Sequence, residues 1–211
     1  MDKIIVIDGV DGSSKGTQCK LLKEWLKEEN YTLYSCSFPR YQDEASIFVR
    51  WYLNGDYRTK PSDVSASQAS LCYAMDRYGF FKTNKEAIDA MKDPNVIMVT
   101  DRYTTSNIIH QGTKIQSLEE QVKFNDWLWH LEYEIPGIPK TDMVIIPVLE
   151  PNANLELVRQ RNIANRALEN KMSTDIHEAD MEYLKQTIKS SRVVVEQMGF
   201  DVIDVWINKV E

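Results

Sequence analysis

The sequence predicts an α/β fold in which a doubly wound, five-stranded parallel sheet is covered by helices on both faces. Five runs of strand length, rich in β-branched residues, recur along the chain, and four of them are apolar on both faces. Strands buried between two helix layers read this way, because neither side chain row meets water. The long stretches between them have helical period, which parallel neighbours need for their crossovers.

Each element can be justified in order. "KIIVIDG" (3–9) is the first strand, and "KGTQCKLLKEWLKEEN" (15–30) the amphipathic helix that follows it. "YTLYSCSF" (31–38), "VIMVTDR" (96–102), "DMVIIPVL" (142–149) and "DVIDVW" (201–206) are the other strands. "FNDWLWHLEYEIPGIPKTD" places Phe124, Leu128 and Leu131 at helical spacing, flanked by Trp127 and Trp129, and reads as a core helix. A last helix is expected in "HEADMEYLKQTIKSSRVVVEQMG". "LNGDYRTKPSD" and "NIANRALENKMSTD" are polar insertions of a size that often carries function. Proline and glycine are expected between elements, not inside them.

Composition narrows the function classes. With 211 residues and 43% apolar content, the chain can bury a large core, and no linker, repeat or shift in composition divides it; a single domain over residues 1–211 is expected. The net charge of -7 leaves no basic footprint for a nucleic-acid backbone. No apolar run approaches a membrane span, so neither nucleic acid nor membrane is an expected partner. Cys19, Cys36 and Cys72 are odd in number and lack metal-ligand spacing, and the chain runs straight into a strand without a signal peptide. A reduced, cytoplasmic protein with structural thiols is expected.

The stretch "IIVIDGVDGSSKGTQ" (4–18) carries the chemistry. An apolar strand, a glycine-rich turn and a lysine opening a helix are the setting in which backbone N–H groups and a helix N-terminus hold a phosphate chain. The usual string G-x-x-x-x-G-K-[ST] is altered twice, with Ser14 in place of the second glycine and the hydroxyl one step late on Thr17. Gly9, Gly12, Ser13, Ser14 and Gly16 are all small enough for the backbone to approach phosphates. A positive φ at Ser14 would cost roughly 1–2 kcal/mol relative to glycine. A second signal is "VIMVTDRY", which ends a buried strand with Asp101 and Arg102, where ligands of open α/β sheets sit. An acid there can hold Mg²⁺, and the arginine can grip a second phosphate.

In their order and spacing, "DGVDGSSKGTQ", "SFPRY", "LCYAMDR", "DRYTTSNIIHQG", "IPKTDMVIIPVLEP" and "DIHEADMEYL" resemble the thymidylate kinase family of P-loop nucleoside monophosphate kinases over nearly the whole length. The K-G-T-Q ending is also similar to adenylate kinase loops. The resemblance implies a three-layer P-loop kinase fold with a lid insertion at about residues 160–176. It implies ATP-dependent, Mg²⁺-assisted phosphorylation of dTMP to dTDP in dTTP synthesis, and a homodimer formed through neighbouring helices.

What the resemblance implies for single residues follows the motifs. Asp11, Gly12, Ser13, Ser14, Lys15, Gly16 and Thr17 fall at the ATP site, with Lys15 on the donor phosphates and Thr17 near Mg²⁺ beside Asp101. Asp11 also falls where the sugar hydroxyl of the monophosphate is contacted. Phe38, Pro39 and Arg40 lie near the acceptor nucleotide, Tyr73 takes the place of a base-stacking aromatic, and Arg77 that of an arginine on base or phosphate. Arg102 falls on the acceptor phosphate, and Ser106, His110 and Gln111 complete the dTMP site, with His110 replacing the usual aromatic and Ile109 the usual small residue. Gly12 stands where a loop arginine would, so the catalytic cation is expected from the lid: Arg166 for the transferred phosphate, Arg161 facing adenine, with Arg159 and Lys171 nearby.

These roles suit phosphoryl transfer, in which two polyanions must be brought together and catalysis needs positioning plus cations in place of a strong base. Two other classes fit the residues as read. One is a kinase of another monophosphate or of a nucleoside; the other is a non-catalytic nucleotide-binding protein with a degenerate loop.

Overall fold

A computed structural model describes residues 3–58, 60–148, 156–160, 163, 185, 187 and 202–204. Five parallel strands form one sheet in the order β2-β3-β1-β4-β5: β1 (Lys3–Ile7), β2 (Thr32–Ser37), β3 (Val96–Asp101), β4 (Met143–Val148) and β5 (Val202–Asp204). The register pairs Ile7 with Asp101 and Ser37 with Asp101, so β1, β2 and β3 end level. Three loops therefore leave the sheet side by side, at the end where the phosphate-type loop begins.

The period-2 rule of strands builds the layers. Ile4 and Val6 of β1 point to one face, where with Met98, Val144 and Ile146 they meet Phe80, Phe81 and Ala87. Those three come from α3 (Ala66–Thr83) and α4 (Lys85–Lys92). Ile5 and Ile7 point to the other face and pack with Ile97 and Val99 against Cys19, Leu22 and Leu26 of α1 (Lys15–Glu28). Helices thus cover both faces, as the doubly apolar strands require. β2 is an edge strand, exposed or half-buried throughout, which accounts for its more polar spelling.

Outside the sheet, α2 (Ile47–Asn54) packs on α3 through Val49, Tyr52, Leu53, Ala69 and Cys72. Helix α3 starts from a capping box in which Ser65 and Gln68 satisfy each other's backbone N–H groups. The core helix expected around Phe124 and Leu128 is α5 (Leu118–Trp129), which bears both residues buried. It runs on into a π-helical turn, His130–Glu134. A second π turn, Asn107–Gln111, follows β3. Glycine and proline do enter elements, against expectation. Gly79 lies inside α3 because a Cβ there would stand 2.4 Å from the Cβ of Ala45, and Pro147 lies inside β4. Among the described residues no helix is long and apolar enough to cross a membrane.

Candidate active site

The phosphate-type loop runs from Asp8, at the end of β1, to Lys15 at the start of α1. Ser14 is the N-cap residue of α1 and sits in the left-handed region, with φ 63° and ψ 17°. Its position does demand the conformation that favours glycine, and its hydroxyl makes no cap hydrogen bond in return. Gly9 and Gly12 also have positive φ, which lets the loop wind tightly between β1 and α1, with the N–H of Gly9 taken by Asp8 and that of Ser13 by the carbonyl of Val10. Lys15 is buried, and its Nζ donates to the carbonyl of Val10 at 2.7 Å. Burial, and then the nearby Arg102, lowers its pKa to about 8, against the pull of Asp11, Asp101 and Asp8.

Arg102 stands at the crossing of the two loops. It has φ 66° and donates through Nη2 to Asp11 at 2.7 Å and through Nη1 to the carbonyl of Gly9 at 3.1 Å. Its Nη1 also lies 2.8 Å from Nε2 of His110. A guanidinium can only donate, so His110 accepts there and carries its proton on Nδ1. Burial works against the charge of Arg102, yet Asp11, Asp8 and Asp101 hold its pKa above the ordinary arginine value. Asp101 responds oppositely: burial raises its pKa, and Arg102 and Lys15 only partly offset this.

Two cavities meet at this crossing. One, of about 420 Å³, is lined by Gly12, Ser14, Lys15, Gly16, Thr17 and Leu157; the other, of about 320 Å³, by Phe38, Pro39, Tyr41, Tyr73, Arg77, Ser106, Asn107, His110 and Gln111. Asp11, Asp101 and Arg102 line both. The volumes are those of small-molecule sites. Phe38 and Pro39 bring the end of β2 into the second cleft, and Tyr73 and Arg77 bring α3. Ser13, expected at the phosphates, is fully buried below the loop and its hydroxyl has no partner.

Not every expected residue reaches a cleft. Arg40 is absent from the lining: its Nε donates to Asp43 at 3.0 Å and its guanidinium lies over the ring of Phe80. Arg77 does line the second cleft, but Nε and Nη2 donate to the carboxylate of Glu132, and Nη1 to the carbonyl of Tyr103. Arg161, Arg166 and Lys171 lie outside the described residues; Arg159 is exposed on the helical segment 156–160.

Three residues that sequence reasoning passed over organise the site. Asp8 is fully buried and accepts from the N–H of Gly9 at 2.8 Å and from the hydroxyls of Thr105 and Ser106 at 2.5 and 2.6 Å. It ties the first loop to the third. Asn107 and Glu132 sit on the two π turns, and Asn107 Nδ2 donates to Glu132 at 2.8 Å. Asp8 had a visible signal, an acid closing a buried strand. Glu132 had none, because its partner Arg77 is 55 residues away.

A metal bound here would rest on few protein ligands. No cluster of three or more His, Cys, Asp or Glu suits one among the described residues. Mg²⁺ needs only one or two protein oxygens when phosphates supply the rest. Asp101 Oδ1 is buried without a hydrogen-bond partner, and Thr17 lines the same cavity, so the pair fits.

The family model described as thymidylate kinase matches residues 7–204. The chain belongs to the thymidylate kinase family. Among curated relatives, it is similar to a probable thymidylate kinase of Pyrococcus abyssi, 26% identical over 94% of this chain and 93% of that one. It is also similar to the thymidylate kinase of Mycobacterium tuberculosis, 28% identical over 87% and 81%. Among solved structures, a thymidylate kinase of Candida albicans shares the fold, with a TM-score of 0.62 at 18% identity over 96% of this chain and 83% of that one. The thymidylate kinase family accounts for the parallel three-layer fold and marks the chain as a kinase acting on small nucleotides.

Proposed function

We propose that this chain transfers the γ-phosphoryl group of ATP to dTMP, giving ADP and dTDP, and that it works as a cytoplasmic dimer. One observation carries the reaction: a cleft at a helix N-terminus and a cleft walled by aromatics and amides open onto the same Asp11, Asp101 and Arg102. Two polyanions bound in them meet end to end.

The donor phosphates lie along Gly12 to Thr17, with the backbone N–H groups and Lys15 as donors. Asp101 and Thr17 would hold Mg²⁺, whose charge neutralises phosphate oxygens when it is bound. Arg102 exchanges Asp11 or His110 for the acceptor phosphate, a charge-assisted bond that positions the attacking oxygen. Tyr73, Phe38 and Pro39 supply apolar faces for the base. Asn107, Arg77 and Gln111 supply its edge, and the Oε1 of Gln111 is buried without a partner, an acceptor that a base N–H would satisfy. Ser106 and His110 border the sugar. The lid arginines Arg161 and Arg166 complete the cation set. For the dimer, Leu71, Met75 and Tyr78 form an exposed apolar stripe on α3 at helical spacing.

The test is turnover of purified protein with ATP, Mg²⁺ and a panel of nucleosides and monophosphates. dTMP is expected to be the best acceptor and thymidine poor, since thymidine leaves Arg102 unpaired. Equal turnover of thymidine overturns the assignment.

A further inference from the structure

We propose that Glu132 is a positioning residue that sets base selectivity, by orienting Asn107 and Arg77 so that the acceptor cleft offers an acceptor beside a donor. This rests on the reading of that cleft as a nucleotide site. Glu132 is 2% exposed and touches no ligand space itself; it is absent from the lining of either cleft. Its role runs through the two residues it grips.

An ionised carboxylate accepts and cannot donate, so whatever faces Glu132 must present N–H. Oε1 accepts from Asn107 Nδ2 at 2.8 Å and from Arg77 Nη2, and Oε2 accepts from Arg77 Nε at 3.0 Å. The other Asn107 Nδ2 hydrogen goes to the carbonyl of Ser70 at 3.3 Å. Both amide hydrogens are therefore used, and the side of Asn107 left for the cleft is its carbonyl oxygen. Without Glu132 only the 3.3 Å bond to the Ser70 carbonyl would oppose turning over the amide, whose two ends are nearly the same shape.

Arg77 is polarised in the opposite sense. Its Nε edge is taken by Glu132 and one Nη1 hydrogen by the carbonyl of Tyr103, which leaves one hydrogen on each η nitrogen. The cleft thus sees a carbonyl acceptor from Asn107 next to donors from Arg77, with Gln111 Oε1 as a further acceptor. A 4-oxo pyrimidine presents N3–H beside O4 and matches this order. A 4-amino pyrimidine presents a bare N3 beside N–H donors and mismatches at both atoms, leaving buried groups unpaired.

The network also explains why an ion pair is retained at such depth. Burial opposes the charge of Arg77, yet Glu132 holds its pKa above the ordinary arginine value. A buried pair is weak evidence for stability, and fixing the arrangement of neighbouring side chains is a role such pairs have in some proteins.

The test compares Glu132→Gln with Glu132→Asp, which keeps a carboxylate for the buried Arg77 and supplies a folded variant if the first does not fold. Binding of dTMP and dCMP is measured by calorimetry, and KM for dTMP and for ATP by steady-state assay. Wild type is expected to prefer dTMP strongly, Glu132→Gln to lose about 10²-fold or more of that preference, and Glu132→Asp, one methylene too short to hold both partners, to lose part of it. KM for dTMP should rise while KM for ATP holds, a split that general loosening of the fold would not produce. If a folded variant of either kind discriminates dTMP from dCMP as well as wild type does, Glu132 has no such role, although dTMP phosphorylation would stand. If wild type neither binds nor phosphorylates dTMP, the functional assignment fails and the selectivity proposal falls with it.

Discussion

The Arg102 guanidinium and the Asp11 carboxylate meet at 2.7 Å on the ridge shared by the two clefts. Asp11 thus pairs with the arginine proposed to grip the acceptor phosphate. Arg102→Lys keeps the charge but loses the planar fork. It is expected to lower kcat/KM for dTMP by about 10²-fold, the worth of one or two charge-assisted hydrogen bonds. Steady-state kinetics check this; an unchanged kcat/KM would remove Arg102 from the phosphate.

Lys15 makes nucleotide binding depend on pH. With its pKa lowered to about 8 by burial and Arg102, the free protein loses this proton as pH rises through that value, whereas bound phosphates favour keeping it. ATP affinity should therefore be full below about pH 8 and fall above it, by up to about tenfold per pH unit. Calorimetry in buffers of different ionisation enthalpy should detect proton uptake on binding above that point. Stability runs the other way: the unfolded chain, near 10.5, holds the proton more tightly, so the contribution of Lys15 to ligand-free stability rises with pH between about 8 and 10.5. The pH-dependence of thermal melting, compared with Lys15→Met, isolates it.

Ser14→Gly should stabilise the chain slightly. Relief of left-handed strain is worth about 1–2 kcal/mol, and the added freedom of glycine in the unfolded state returns about 0.4–1 kcal/mol of that. No cap hydrogen bond is lost, since Ser14 makes none. The melting temperature is expected to rise by about 1–5 °C, with ATP affinity held or tightened. A drop in both would mean that the serine hydroxyl serves the site.

Gly79→Ala should do the reverse. The new Cβ would stand 2.4 Å from the Ala45 Cβ, and both atoms are fixed to backbone, so α3 must shift. A loss of about 1–3 kcal/mol is expected, partly recovered by adding Ala45→Gly. Chemical denaturation of the two variants measures the coupling.

For the lid, Arg166→Ala should lower kcat more than it weakens ATP binding, because a contact made mainly in the transition state appears in rate. Arg161→Ala should raise KM for ATP instead. If both changes only raise that KM, Lys171 is the next candidate for the catalytic cation.

The strands and their parallel arrangement were legible because burial on both faces leaves an unmistakable apolar run, as in "VIMVTD". The loop was legible through the small residues its backbone needs. What stayed hidden was the support. Arg77 reads as a free cation in "LCYAMDR", and only the three-dimensional neighbourhood reveals that Glu132 already holds it. Arg40 misleads in the same way, since its partner Asp43 is close in sequence but its direction is set by Phe80 beneath it. Asp8 was in plain view, yet its partners Thr105 and Ser106 lie nearly a hundred positions later. Sequence patterns report which surfaces are dry; they do not report which charges are already spoken for.

The π turn at Asn107–Gln111 also constrains how this chain can change in length. A π turn is a helical turn holding one surplus residue, so excising any one position there would restore ordinary α geometry at no topological cost. Residues beyond the turn would keep their places, because the turn alone absorbs the surplus residue, but those on the turn would be respaced around the helix axis, at about 100° per residue. Asn107, His110 and Gln111, which line the cleft from this turn, could then no longer all face it, whereas Lys114 would keep the Tyr52 hydroxyl and Val64 carbonyl it donates to. A deletion scan through 105–114 should therefore show a sharp minimum in dTMP binding at the π turn, while the polar connection at 55–60 absorbs shortening. For anyone transplanting this acceptor pocket into another P-loop scaffold, the number of residues between Arg102 and Lys114 must be copied along with their identities.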